Sequence, residues 1–172
     1  LYDPSEQVAL AFRQAETVRD QLGDVARARG LFDEVLELDP GHRPSLDALI
    51  ALYRAAEDWE ALFETYESLQ NAVTDADERV DVARAMATVA TDQLDQPGEA
   101  IDLWQSVLMS RPEDGEALDR LTTLFERADQ PMDLAEVLDK RVALSSDAAE
   151  QVALLQRSGA LWSTELDNAD MA

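Results

Sequence analysis

Apolar residues fall at steps of three and four along nearly the whole chain, the spacing of one face of an α-helix. Within 25–38, Ala28, Leu31, Phe32, Val35 and Leu38 make one stripe; within 44–56 it is Leu46, Leu49, Ile50 and Tyr53. No segment alternates with a period of two, so no sheet is expected. The pattern predicts nine helices, over 4–21, 25–38, 44–56, 58–72, 76–94, 97–110, 115–129, 131–144 and 147–165, and a truncated tenth from 169 onward. Asp24, Asp58 and Asn168 stand where helix N-caps are needed. Pro97 and Pro131 stand in first turns, where a missing N–H is harmless. The short connections predict antiparallel hairpins.

The pattern repeats. QLGDVARARGLFDEVLELDP at 21–40 returns 72 positions later as QLDQPGEAIDLWQSVLMSRP, with its apolar frame kept and its charges rewritten. Sliding residues 1–100 onto 73–172 without a gap leaves about a quarter of the positions identical. A finer period lies inside: Ala28, Leu62, Ala100, Leu134 and Ala172 are spaced 34, 38, 34 and 38 residues apart. Four added residues are close to one helical turn, so the apolar face keeps its direction. Periods of this size mean stacked helical hairpins.

At this point the chain resembles the tetratricopeptide repeat (TPR) family. Gly23, Asp24, Ala28, Phe32 and Pro40 fit the family's turn and second-helix pattern, with Val35 in place of its second small residue. Ala100, Trp104 and Pro112 fit it again. Leu46, Leu49 and Tyr53, and Leu118, Leu121 and Phe125, fit its first-helix pattern, although Thr74 and Ser146 replace the closing proline. The alternation of a "GD…A…LDP" unit with a "WE.L" unit is similar to large bacterial multi-repeat proteins. The resemblance implies an all-α, right-handed α-solenoid, with hairpins at about 4–40, 43–74, 76–112, 115–146 and a truncated 147–172. Glu16 and Arg19 depart from the small and aromatic residues usual at their positions, so imperfect packing is expected in the first hairpin. The chain reads as one repeat array, an excerpt of a longer one, whose ends are expected to associate end to end.

Composition narrows the chemistry. The 172 residues carry 37 acids against 14 bases, a net charge of −23. Such a surface repels phosphate backbones and anionic lipid, so nucleic acid is not the expected partner. Cysteine is absent, which removes thiolate ligands and nucleophiles. No stretch has the roughly 20 apolar residues of a membrane span. The chain starts at Leu1 rather than Met and shows no leader, so the compartment stays open, with the cytoplasm preferred.

The sole histidine, His42, reads as a solvated turn residue. Acid pairs such as Asp33–Glu34 and Asp77–Glu78 lack the spacing of a calcium loop, and no phosphate-cradling or nucleophile-elbow motif occurs. Most aromatics fall on the packing stripe; Trp162 is the one expected to protrude. No catalytic, metal or cofactor residue is therefore assigned.

What remains is the groove that the resemblance implies along the first helices. Register places Arg13, Thr17 and Gln21 there, then Asp47, Ala51 and Arg54, then Ala85, Val89 and Gln93. Asp119, Arg120, Thr123, Glu126 and Arg127 follow, and last Arg157, Leu161 and Thr164. The Lys/Asn clamp by which some members grip a terminal carboxylate is missing. The arginines could instead hold a partner's carboxylate in a bidentate grip, or neutralise nearby acids, as in Asp47–Arg54 and Glu126–Arg127. The expectation is a non-enzymatic scaffold for a protein or peptide. The alternatives are a peptide-responsive regulatory sensor, an accessory repeat domain of a larger enzyme, or a plain spacer.

Overall fold

The computed structural model describes residues 3–171, with side chains to residue 164. Among them every regular element is helical. The chain divides after Asp95 into two compact units. The first holds α1 (Pro4–Thr17), a π-turn (Val18–Leu22), α2 (Val25–Leu38), α3 (Arg43–Ala55), α4 (Trp59–Ala72) and α5 (Ala76–Asp92). The second holds α6 (Pro97–Ser110), α7 (Gly115–Arg127), α8 (Pro131–Leu144) and α9 (Ala148–Met171). Within each unit every helix packs on the next in the chain.

Local chemistry starts these helices where the pattern places them. Asp3, Asp24, Asp75 and Asp114 accept hydrogen bonds from main-chain N–H groups of the first turns of α1, α2, α5 and α7. Pro4, Pro97 and Pro131 open α1, α6 and α8. Asp58 holds the cap position of α4 without a side-chain capping bond.

One backbone device recurs in the turns between helices. Gly23, Glu57, Asp95 and Asp129 adopt left-handed φ values of 66°, 54°, 48° and 52°. Their spacing is 34, 38 and 34 residues, so each lies five positions before Ala28, Leu62, Ala100 or Leu134. After α3 the Glu57 N–H donates to the Arg54 carbonyl at 3.2 Å, and the Asp58 N–H to the Tyr53 carbonyl at 3.0 Å. The same pair of bonds closes α7, from Asp129 to Glu126 at 3.4 Å and from Gln130 to Phe125 at 3.0 Å. This two-bond closure requires a left-handed residue, for which glycine is usual. Here glutamate and aspartate occupy it.

The first unit's core joins Ala15, Val18, Ala28, Phe32, Ala48 and Leu49, flanked by Phe12 and Tyr53. Ala15 and Ala28, both fully buried, let α1 and α2 approach closely. In the second unit Leu121, Leu124, Phe125 and Leu138 are buried at the corresponding stripe, and Trp104 occupies the position of Phe32.

Four features differ from the pattern. Residues 18–22 form a π-turn rather than continuing α1. The wider turn keeps Val18 in the core while Arg19, at the expected misfit, lies over the Phe32 ring at 5.6 Å and pairs with Asp20 at 2.6 Å. His42 is half-buried rather than solvated: its ring meets Phe12 edge-on at 4.9 Å, and Nδ1 lies 2.9 Å from the buried Ser45 hydroxyl. Trp162 does not protrude, because its indole N–H donates to Asp139 of α8 at 3.2 Å. Finally, α9 runs through Asn168 to Met171, so no separate tenth helix begins at 169.

Candidate functional site

On the first-helix side of the first unit, α1 presents Arg13 and Thr17 exposed. Arg13 Nε donates to the Ala9 carbonyl at 3.3 Å, and the Thr17 hydroxyl to the Arg13 carbonyl at 2.8 Å. Gln21, in the π-turn, is exposed. On α3, Asp47 is held by Arg43, four residues earlier, at 2.8 Å. The other arm of Arg43 reaches Glu78 on α5, tying one first helix to the next. Arg54 donates to the Tyr66 hydroxyl of α4 rather than to a carboxylate. On α5, Ala85 is half-buried and Gln93 caps the end, its N–H donating to the Val89 carbonyl at 3.0 Å. Val89, expected in the groove, is instead 7% exposed and packed into the core.

The second unit repeats the arrangement on α7 and α9. Glu126 accepts from Arg157, again bridging successive first helices. Asp119 is paired with Arg141 of α8 at 3.1 Å. Arg120 is half-buried and Arg127 exposed, and neither lacks a partner. Thr123 and Thr164 donate back to the Asp119 and Ala160 carbonyls, and Leu161 is half-buried.

The short-range pairs Asp47–Arg54 and Glu126–Arg127 expected from the sequence are thus replaced by Arg43–Asp47, Arg43–Glu78 and Arg157–Glu126. Arg43 and Glu78 were not among the candidates. They lie 35 residues apart, and Glu126 and Arg157 lie 31 apart, so each pair spans about one hairpin. Charge complementarity sought at the repeat spacing would have found them. Arg13 and Arg54 emerge as guanidiniums with no carboxylate partner among the described residues.

The second-helix side of the first unit holds a cluster that motif reasoning missed. Arg29 of α2 lies 5.0 Å over the Tyr53 ring and 3.7 Å from the Asp58 carboxylate. Its Nε is buried without a hydrogen-bond partner, so the ring face holds the guanidinium. Partial desolvation and then Glu37 push the Asp33 carboxyl up, against the pull of Arg29. Desolvation, helped by Asp33, likewise raises the Tyr53 hydroxyl.

Among the described residues no group of acids and histidine is placed to hold a metal ion, and no helix is long and apolar enough to cross a membrane.

No family model and no curated protein matches the sequence. Solved structures do. YrrB, described as a TPR protein with an unusual peptide-binding site, superposes with a TM-score of 0.55 at 16% identity, over 90% of this chain and 76% of its own. One MamA structure gives 0.56 at 15% identity, over 90% and 84%; another gives 0.53 at 14%, over 87% and 95%. At such identities the likeness is one of architecture. The chain has a TPR-like, all-α helical-repeat fold.

Proposed function

We propose that the chain is a non-enzymatic scaffold whose first-helix side holds a protein or peptide partner. The observation that carries this reading is the state of Arg13 and Arg54. On a molecule of net charge −23 both are exposed and, among the described residues, without a carboxylate partner, while Arg43 and Arg157 are committed to the chain's own acids. An acidic peptide could replace the main-chain and Tyr66 contacts of these two guanidiniums without breaking an ion pair. The paired arginines then act as struts that keep first helices in register, so little ordering entropy is lost on binding. The peptide-binding site named for YrrB supports a peptide as partner by analogy.

Selection of random peptides on the purified chain tests this. Enrichment of acidic peptides on the wild type, and its loss on an Arg13→Glu/Arg54→Glu variant of unchanged helicity, is the expected result. Identical peptides selected by both proteins would refute it. We extend the reading to self-association through exposed apolar residues, Leu10 on α1 and Val152 and Leu155 on α9. Sedimentation that stays monomeric at high concentration would remove that extension.

A further inference from the structure

The 72-residue register sets Arg54 of α3 at the place of Glu126 on α7, and Ala85 of α5 at the place of Arg157 on α9. In the second unit those two places hold an acid and a base, and Arg157 donates to Glu126 across the 31 residues between them. The first unit inverts one member and removes the other. A guanidinium stands where the second unit has the acid, and a methyl group stands where it has the base. Side chains of α3 and α5 do reach each other in the first unit, since Arg43 donates to Glu78. Yet among the described residues no side chain of α5 answers Arg54.

What Arg54 has instead is the hydroxyl of Tyr66 on α4. Register puts Leu138 at that place in the second unit, so this post is particular to the first. Tyr66 is 5% exposed and packed in the core, while Arg54 itself is exposed. The bond occupies one nitrogen of the guanidinium, and no carboxylate or carbonyl among the described residues takes the rest of its planar fork. The neighbouring first-helix positions are small. Ala51 is exposed where the second unit has Thr123, and Ala85 is half-buried.

We propose that this place takes an acidic side chain of the partner peptide, which completes from outside the ion pair that the second unit makes from its own residues. The inference rests on the first-helix reading above and names its acid subsite, with Tyr66 as a positioning residue. The open fork matches a carboxylate with two parallel hydrogen bonds. Because Tyr66 already holds the guanidinium, little side-chain freedom is lost when the acid arrives. The methyl groups of Ala51 and Ala85 leave room for the peptide beside it.

Nitrogen-15 spectra of the arginine Nε–H groups of the full chain test this. The probe is a short peptide capped at both ends, carrying one glutamate between leucines, with its glutamine twin as control. The Arg54 signal should move on titration with the glutamate peptide, which should bind about tenfold or more tightly than the twin. Ala85→Glu supplies an internal carboxylate opposite Arg54. It should shift the Arg54 signal without ligand and weaken the peptide by about tenfold. Ala85→Gln, equal in size, should weaken it far less. Tyr66→Phe, at unchanged helicity, should weaken the peptide and move the Arg54 signal toward that of a solvated arginine, a change that lost packing alone does not produce. Equal losses from Ala85→Glu and Ala85→Gln would show crowding and overturn the inference, as would equal affinity for the two peptides. A shift at Arg13 with none at Arg54 would overturn it while leaving the scaffold reading intact, whereas no shift at either arginine would sink both.

Discussion

Replacing Glu57 by glycine should stabilise the protein. Glu57 has φ 54°, a left-handed conformation in which Cβ crowds the following carbonyl. That crowding costs a non-glycine residue about 1–2 kcal/mol. Glycine escapes it but gives the unfolded chain more freedom, which takes back about 0.5–1 kcal/mol. The net gain is about 0.5–1 kcal/mol, or roughly 1–4 °C in midpoint for a chain of this size. The carboxylate adds little, since it follows the negative end of α3 and precedes the positive end of α4, and these effects oppose. Glu57 is exposed, so no packing is lost.

Urea and thermal denaturation followed by far-UV circular dichroism measure the change. Two companions isolate its cause. Glu57→Ala keeps the strain and discards the carboxylate, so it should lie within about 0.5 kcal/mol of wild type. Gly23→Ala introduces strain, and the added Cβ meets no atom within 4 Å, so any loss comes from backbone conformation alone. That loss should be about 1 kcal/mol or more. An equal gain from Glu57→Ala and Glu57→Gly, or a neutral Gly23→Ala, would refute backbone strain as the cause. Asp129→Gly and Asp95→Gly should gain less than Glu57→Gly, because aspartate tolerates the left-handed region better.

Truncating the fully buried Trp104 to alanine should cost about 3–5 kcal/mol, read as a large fall in urea midpoint. Asp114→Ala removes the side-chain cap of α7, made to the Ala117 N–H at 3.0 Å, and should cost about 1 kcal/mol. Burial, and then Glu37, push the Asp33 carboxyl up from its ordinary value, so the folded state binds its proton more readily than the unfolded one, and stability falls as pH rises through its titration. Asp33→Asn should therefore be more stable than wild type at neutral pH, with the difference closing as pH falls below the carboxylate range; a constant offset would contradict the assignment. Glu126→Gln breaks an exposed pair with Arg157 and should cost less than about 1 kcal/mol, measured by the same denaturation.

The helices and their period were legible because both follow from where apolar side chains must lie. Ala28, Leu62, Ala100 and Leu134 announce the hairpins, since a small or branched residue early in each second helix must fit against the first. The turns were legible only through that period. Of the four left-handed residues among those described just one is glycine, so a search for glycine finds Gly23 and misses Glu57, Asp95 and Asp129. Packing of the paired helices selects the turn whatever residue occupies it, and the residue absorbs the strain. The candidate site was less legible for a related reason. Side chains on the first-helix side choose partners one hairpin away, as Arg43 does with Glu78, whereas motif reading weighs neighbours within one helix. Arg29 shows the limit most plainly. Its ring comes from α3 and its carboxylate from the turn before α4, and only their convergence in space reveals the cluster.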